Sequence, residues 1–298
     1  MTDIYQDLAA LVPGFTRAWR SAAIVATIAV AVTGCGGGGT DGAAGTAVVD
    51  RAVVDSADST VNKSAIQAES ASHVVVPRHA RFEGKTYRQW VVSFWQWVNL
   101  IDNGPFFPNP LISCTRPVSA GQSGNVWYWA TPSSYFHALS APNTPQVCDQ
   151  SANVIPAGTS ILLATLDTFS STLLPPGTYT PSTAAGERAI AGRFADRIED
   201  LFVTIDNVPI TNITAYRVAT DRFTFTTALR WVFGLPEHIY GAGTAAADGY
   251  YLLLKPLPTG SHTIHYGGRF HYLPGDFGPG ALPPDYVVDI TLLITVGP

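Results

Sequence analysis

The sequence predicts a mainly β fold, an antiparallel β-sandwich with one or two helices packed on it, and three observations predict it. Short apolar runs stand between frequent breakers, 27 Gly and 22 Pro in 298 residues. Only two stretches carry helical periodicity. The final segment alternates Val288, Ile290, Leu292, Ile294 and Val296 with Asp289, Thr291 and Thr295, which is the period of a strand with one buried face. Many short strands with few helices pack as sheet on sheet.

In chain order, the first element is a helix entered at Thr86. Thr86 and Gln89 match a capping box, in which hydroxyl and amide satisfy the exposed N–H groups of the first turn. Tyr87, Trp90, Val91, Phe94, Trp95, Val98 and Ile101 recur at helical spacing with Arg88, Ser93, Gln96 and Asn99 opposite, so the aromatic face must be buried. Strands are expected at Val126 to Ala130 and Ile161 to Leu166. A second helix is expected from Ala184 to Asp200, with Ile190, Phe194, Ile198 and Leu201 on one side and Glu187, Arg188, Arg193, Asp196, Arg197, Glu199 and Asp200 forming a solvated face. Further strands follow at Leu201 to Ile205, Ile213 to Thr220, Arg222 to Thr226, Tyr250 to Lys255, His262 to Tyr266 and Val287 to Val296. Asp206-Asn207 between two apolar runs signals a hairpin turn that needs positive φ. The Pro-rich stretches 104–110, 132–146, 174–181 and 273–285 read as loops.

The chain carries 17 basic and 22 acidic side chains, a formal charge of −5, and only 13% of its residues are charged, about half the average of soluble proteins. With no run of Lys or Arg, a nucleic-acid partner is excluded, because that binding depends on a basic face releasing counterions. Near the start, Arg17 and Arg20 precede the apolar run AAIVATIAVAVT at 22–33. Twelve residues are too few to span a bilayer, which takes roughly 20, and the pattern is that of a secretory signal. Val32-Thr33-Gly34-Cys35 resembles the lipobox of bacterial lipoproteins, which implies acylation of Cys35 and cleavage before it. Asp3 and Asp7 ahead of the Arg pair depart from the usual leader. The expected plan is a signal peptide at 1–34, a flexible Gly/Ala/Ser-rich tether at 35–79 and a single disulfide-bonded β-rich domain at 80–298. The tether's reach is roughly 35 Å, and the domain is expected to lie at the bacterial cell envelope, lipid-anchored and facing the periplasm or exterior.

Setting Cys35 aside leaves Cys114 and Cys148, 34 residues apart. Export to an oxidising compartment makes a disulfide the simplest pairing, stabilising by roughly 3 to 4 kcal/mol through loop closure. No CxxC spacing points to redox or metal chemistry.

Three stretches together resemble a family of secreted bacterial proteins of uncharacterised activity. They are Tyr87-x-x-Trp90 with Phe94-Trp95-Gln96-Trp97; the segment from Cys114 through Gly121-Gln122-Ser123-Gly124-Asn125-Val126-Trp127 to Cys148; and Gly249-Tyr250-Tyr251 with Leu257-Pro258-Thr259-Gly260-Ser261-His262-Thr263-Ile264-His265. The resemblance covers most of residues 80–270. It implies that the two cysteines pair and that the aromatic helix belongs to the globular unit, and it supplies no activity.

Candidate chemistry is sparse. Gly121-Gln122-Ser123-Gly124 is followed by Asn125 and a strand, whereas a nucleophile elbow needs Gly and a helix there, so a turn launching a strand is the plainer reading. His265 could meet His271 if Gly267-Gly268 made a turn, giving a metal or proton-transfer pair; His238 reads as a solvated loop residue. Asp102, Asp167, Glu237, Asp248 and Asp276 offer carboxylates, but no pair stands out by spacing. Trp127 and Trp129 share one strand face with Tyr128 on the other; an exposed stripe would stack on sugar rings, while a buried pair would leave Tyr128 facing solvent. No cofactor or metal is expected. The reading is a lipid-anchored extracytoplasmic protein acting as a binding or structural module for a glycan, a peptide or an envelope protein, with the membrane as partner through its N-terminal lipid. The rival is an envelope hydrolase with its site in the Pro/Gly-rich loops near His265 and His271.

Overall fold

The computed structural model describes residues 74–104, 109–132, 145–174, 183–234, 239–277 and 284–298. The expected signal peptide, Cys35, the expected tether up to residue 73, Glu237 and His238 lie outside them. The fold is mainly β. Helix α1 (Tyr87–Leu100) and helix α2 (Ala184–Ala195) accompany strands β1 (Val126–Ala130), β2 (Gln146–Asp149), β3 (Ile155–Pro156), β4 (Ser160–Ser171), β5 (Ile198–Ile205), β6 (Val208–Pro209), β7 (Phe223–Thr226), β8 (Ala242–Leu254), β9 (Gly260–Phe270) and β10 (Tyr286–Gly297).

Two sheets form. Sheet 1 has the order β1-β4-β8-β7, and sheet 2 the order β2-β10-β9-β5-β6 with β3 also on β10. The long central pairs β4/β8, β9/β10 and β5/β9 are antiparallel. β1 joins β4, and β2 and β3 join β10, in parallel. Those parallel additions arise because the chain leaves sheet 1 after β1, lays β2 and β3 on sheet 2, and returns to sheet 1 as β4. A parallel partner requires such a crossover.

The facing sides of the sheets share one core. Trp127, Trp129, Ile161, Leu163, Leu252 and Leu254 from sheet 1 meet Val203, Ile264, Tyr266, Ile290, Leu292 and Ile294 from sheet 2. A second core lies on the far side of sheet 1, where α1 places Trp90, Val91, Phe94, Trp95 and Val98 on Leu162, Ala164, Tyr251 and Leu253. Each fully buried side chain of this size contributes roughly 1.5 to 3 kcal/mol. The capping box that starts α1 is present, Thr86 and Gln89 each bonding the other's backbone N–H. Buried Asn99 accepts from Trp231 Nε1 at 2.7 Å and donates to the Trp95 carbonyl at 2.7 Å, so its amide is satisfied inside an apolar layer.

Several expectations shift. α2 ends at Ala195, because the β-branched run from Ile198 is drawn into pairing with β9 from Ile198↔Phe270 onward. The expected strand at Ile213 to Thr220 begins as a 3-10 turn, Ile213–Tyr216, after which Val218 and Thr220 donate to the β8 carbonyls of Gly249 and Ala247. β8 starts eight residues before Tyr250, through Ala245 to Ala247. The Asp206-Asn207 turn forms as expected, with φ of 51° and 65°. The expected tether boundary at 79 moves upstream, since Val75 and Val76 are buried and Val75 bridges Leu254 at the edge of β8. No helix among the described residues is long and apolar enough to cross a membrane.

Candidate functional site

β1 carries the aromatic candidates, and both of its faces are covered. Trp127 and Trp129 point into the inter-sheet core at 8% and 3% exposure, where Trp129 Nε1 donates to the Tyr266 hydroxyl at 2.7 Å. They form no exposed stripe. Tyr128, expected to face solvent, lies half-buried under α1 against Trp90, Phe94 and Trp97. The correction has one cause: α1 needs a sheet face to bury its aromatic side, and the outer face of sheet 1 supplies it.

What remains accessible of this aromatic group is the wall of a shallow groove. Tyr128 and Trp129 line it with Trp97 from α1 and Arg116, Pro117 and Gln122 from the segment before β1. The rings of Trp97 and Tyr128 lie 5.3 Å apart. The cavity volume between these residues is about 10 Å³, room for about one water, so a sugar ring or a side chain would lie against the wall and not inside it. Its polar wall is fixed from behind by the Cys114–Cys148 disulfide, Cα atoms 5.4 Å apart. Gln150, two residues past Cys148, donates to the Cys114 and Arg116 carbonyls and accepts from Val118 N–H at 2.8 Å. Trp97 Nε1 donates to the Gly121 carbonyl, and the Gln122 amide clips the Tyr128 backbone twice. Burial lowers the pKa of the Arg116 guanidinium, partly offset by the charge of Asp102. Ser123 is exposed on the turn, ahead of Gly124 at φ 77° and then β1, so the strand-launching turn is what forms.

The histidines do not converge. β9 runs unbroken through Gly267-Gly268, so the turn that would fold His271 onto His265 is absent. Six residues of extended chain keep the two about 20 Å apart. The glycines serve close approach instead: a Cβ on Gly267 would strike the Val288 carbonyl and the Phe202 ring, and one on Gly268 the Glu199 carbonyl at the bulge in β5. His262, His265 and His271 each pair with a different carboxylate. His265 Nε2 meets Asp289 at 2.8 Å, His271 Nδ1 meets Asp285 at 3.0 Å, and His262 Nδ1 meets Asp206 at 2.7 Å with its Nε2 on the Pro258 carbonyl. Burial lowers the His262 pKa, but Asp206 and that carbonyl outweigh it, and the net shift is upward. Among the described residues no hydroxyl or thiol is hydrogen-bonded to the His265 or His271 ring, and no cluster of three or more His, Cys, Asp or Glu could hold a metal ion.

The other carboxylates divide by environment. Asp248 is held by Arg217 through two bonds of 2.9 Å, and Asp276 by Arg197 through bonds of 2.8 and 3.1 Å that lower its pKa. Asp102 pairs with Arg230 at 2.6 Å. Asp167 is different. It sits in the middle of β4 on the α1 side of sheet 1, its Oδ2 is shut off from solvent with no hydrogen-bond partner, and burial pushes its pKa up to about 7 against a hydrogen bond from Tyr251. Tyr251 in turn accepts from Trp95 Nε1 at 3.0 Å. The sequence offered one signal for it, a lone carboxylate inside the apolar run Ile161 to Phe169, and spacing alone did not separate it from the loop acids.

No family model matches the chain, and no curated protein matches it. Solved structures that align with it include a cysteine protease inhibitor from Entamoeba histolytica, at 12% identity over 48% of this chain and 83% of that one with a TM-score of 0.16. The solution structure of amebosin aligns at 11% identity over 52% of this chain and 90% of that one, also with a TM-score of 0.16.

Proposed function

We propose that the chain is a lipid-anchored protein of the bacterial envelope whose disulfide-bonded β domain is a binding module. It holds one sugar ring, or one side chain of a peptide, against the wall formed by Trp97, Tyr128 and Arg116. The observation that carries the reading is the convergence of two aromatic rings and a guanidinium on one accessible wall whose own polar groups are tied internally. Ring faces offer stacking area to a sugar or a planar side chain, and Arg116, whose Nη1 already donates to the Asp102 carbonyl at 3.3 Å, adds positive charge to that wall. The arginine favours an acidic sugar or a peptide carboxylate over a neutral ligand. The anchor rests on the lipobox-like tetrad ending in Cys35, and the exported location also agrees with the disulfide, which oxidising compartments sustain.

The test uses the full chain in detergent on glycan and peptide arrays, beside Arg116→Ala. A binder whose signal falls at least several-fold in Arg116→Ala supports the groove; an empty array, or a binder indifferent to the change, overturns it. Feeding a clickable fatty acid tests the anchor, since label retained in Cys35→Ala removes that cysteine as its site.

A further inference from the structure

Charge is unevenly placed along the chain. Residues 74–132 hold five basic side chains against Glu83 and Asp102, a net +3 in a chain of −5. They supply α1, its entry turn, the segment before β1 and β1 itself, which meet along a seam between the helix and the edge strand of sheet 1. Two of the cations lie on that seam. Lys85 Nζ donates to Ser93 Oγ at 2.9 Å and stands 4.3 Å from the Trp90 ring centre, and Ser93 is hydrogen-bonded to the Tyr128 hydroxyl. Tyr128 packs on Trp97. Past Trp97, Arg116 reaches the Asp102 carbonyl just beyond the C-terminal end of α1. Lys85, Ser93, Trp97, Tyr128 and Arg116 all keep part of their surface open to solvent.

We infer that the seam from Lys85 to Arg116 is a track for an acidic oligosaccharide more than one ring long, stacked on Trp97 and Tyr128 with its carboxylates toward the two cations. The inference rests on the groove reading above and extends it from one ring or side chain to an acidic sugar chain. Ser93 and Trp97 stand one helical turn apart, about 6 Å of rise, and Arg116 lies further on, so one ring cannot meet both cations. Lys85 has three N–H donors, of which Ser93 takes one. Opposite charge draws an anionic chain to this side of an otherwise acidic protein. A peptide fits less well for two reasons. The Gln122 side chain occupies both the N–H and the carbonyl of Tyr128 on the edge strand, so an incoming strand finds no backbone partner there. The cavity of about 10 Å³ admits no anchoring side chain, whereas a sugar ring stacks on an open ring face without one.

The test titrates the full chain in detergent with α-1,4-linked trigalacturonate, following tryptophan fluorescence, beside galacturonic acid, the methyl-esterified trimer and tetraglutamate. The trimer is expected to bind at least 10-fold more tightly than the monomer, because its later contacts are intramolecular. The ester, with rings and no charge, and tetraglutamate, with charge and no rings, are each expected to bind at least several-fold more weakly than the trimer. Raising sodium chloride from about 50 to about 500 mM is expected to weaken the trimer several-fold. Lys85→Gln is expected to do the same, and Lys85→Arg to restore the affinity; should the first variant fail to fold, the ester comparison needs no substitution. A monomer that binds and is lost in Arg116→Ala, beside a trimer no tighter than it, overturns the track and leaves the groove standing. A trimer indifferent to Lys85→Gln, tetraglutamate as tight as the trimer, or no response up to about 10 mM trimer also overturns the track, and the groove falls with it only when the arrays are empty as well.

Discussion

Sheet 1 and sheet 2 share one core, but their other faces have opposite fates. The outer face of sheet 1 is roofed by α1, so Leu162, Ala164, Tyr251 and Leu253 are fully buried there, as their neighbours are on the inner face. The outer face of sheet 2 keeps Asp289, Thr291 and Thr295 partly exposed beside Val287 at 37%. A strand buried on both faces reads as a continuous apolar run, and one buried on a single face reads as an alternation. The same contrast sorts the polar groups. Histidines and carboxylates on sheet 2 pair with each other in reach of water, whereas Asp167 on sheet 1 is trapped beneath aromatic rings.

The sharpest way to break the contrast is to remove the roof. Phe94→Ala, a 1% exposed ring touching Trp95, Trp97, Tyr128 and Tyr251 edges, is expected to cost about 3 to 5 kcal/mol. A lowered urea midpoint at unchanged m-value checks it. Next comes the link between the segment before β1 and sheet 2: replacing Cys114 and Cys148 by Ser together is expected to cost about 2 to 4 kcal/mol, read by calorimetry, and to weaken any groove ligand because Arg116 loses its backing.

Two titrations then separate the buried carboxylate from the exposed pairs. The pKa of Asp167 is raised to about 7 from 3.8, so the fold favours its acid form. That stability is complete below the unfolded value and is lost as pH rises through 7. Wild type is expected to lose up to a few kcal/mol between pH 5 and pH 8 that Asp167→Asn does not lose, and parallel melting curves for the two would contradict this. His262 is also raised, mainly against burial by Asp206; its contribution is present below pH 6.5 and fades as pH rises through its folded value. His262→Ala is therefore expected to cost more at pH 5.5 than at pH 8, by under about 1 kcal/mol at this surface pair. Smallest of all, Thr291→Ala on the open face is expected to stay within about 0.5 kcal/mol of wild type, and a larger loss in chemical denaturation would mean that face is not as open as its exposure indicates.

How much of this was legible follows the same division. The ends of β1 and the start of α1 were readable, because a capping box and a run of aromatic residues act locally. β10 was readable because one open face writes its alternation into the chain. Sheet 1 was harder. Ala245, Ala246 and Ala247 carry little strand preference and belong to β8 through their pairing with Ser171, Ser170 and Phe169 of β4 and their full burial. The fate of Tyr128 depended on α1, which lies in another part of the chain, and no spacing within VWYWA could announce it. Gly267-Gly268 looked like a turn, since glycine permits both a turn and a close approach, and only the Phe202 ring and the bulge at Asp200 decide between them. The disulfide was predictable by counting cysteines, but the groove behind it was not, because Gln150 and Trp97 reach it from different elements.

The docking of Val74 to Val76 on β8 has a mechanical consequence. Val76 N–H bonds the Leu253 carbonyl, Lys255 N–H bonds the Val74 carbonyl, and the Tyr87 hydroxyl joins the Val76 carbonyl to the Leu253 N–H. Because this segment lies antiparallel to β8 at the Val75↔Leu254 bridge, a pull on the chain ahead of it acts along the strand axis. All of these bonds are then strained together in shear rather than opened one at a time, and the force passes into β8 inside sheet 1, a strand buried from Ala245 to Leu254.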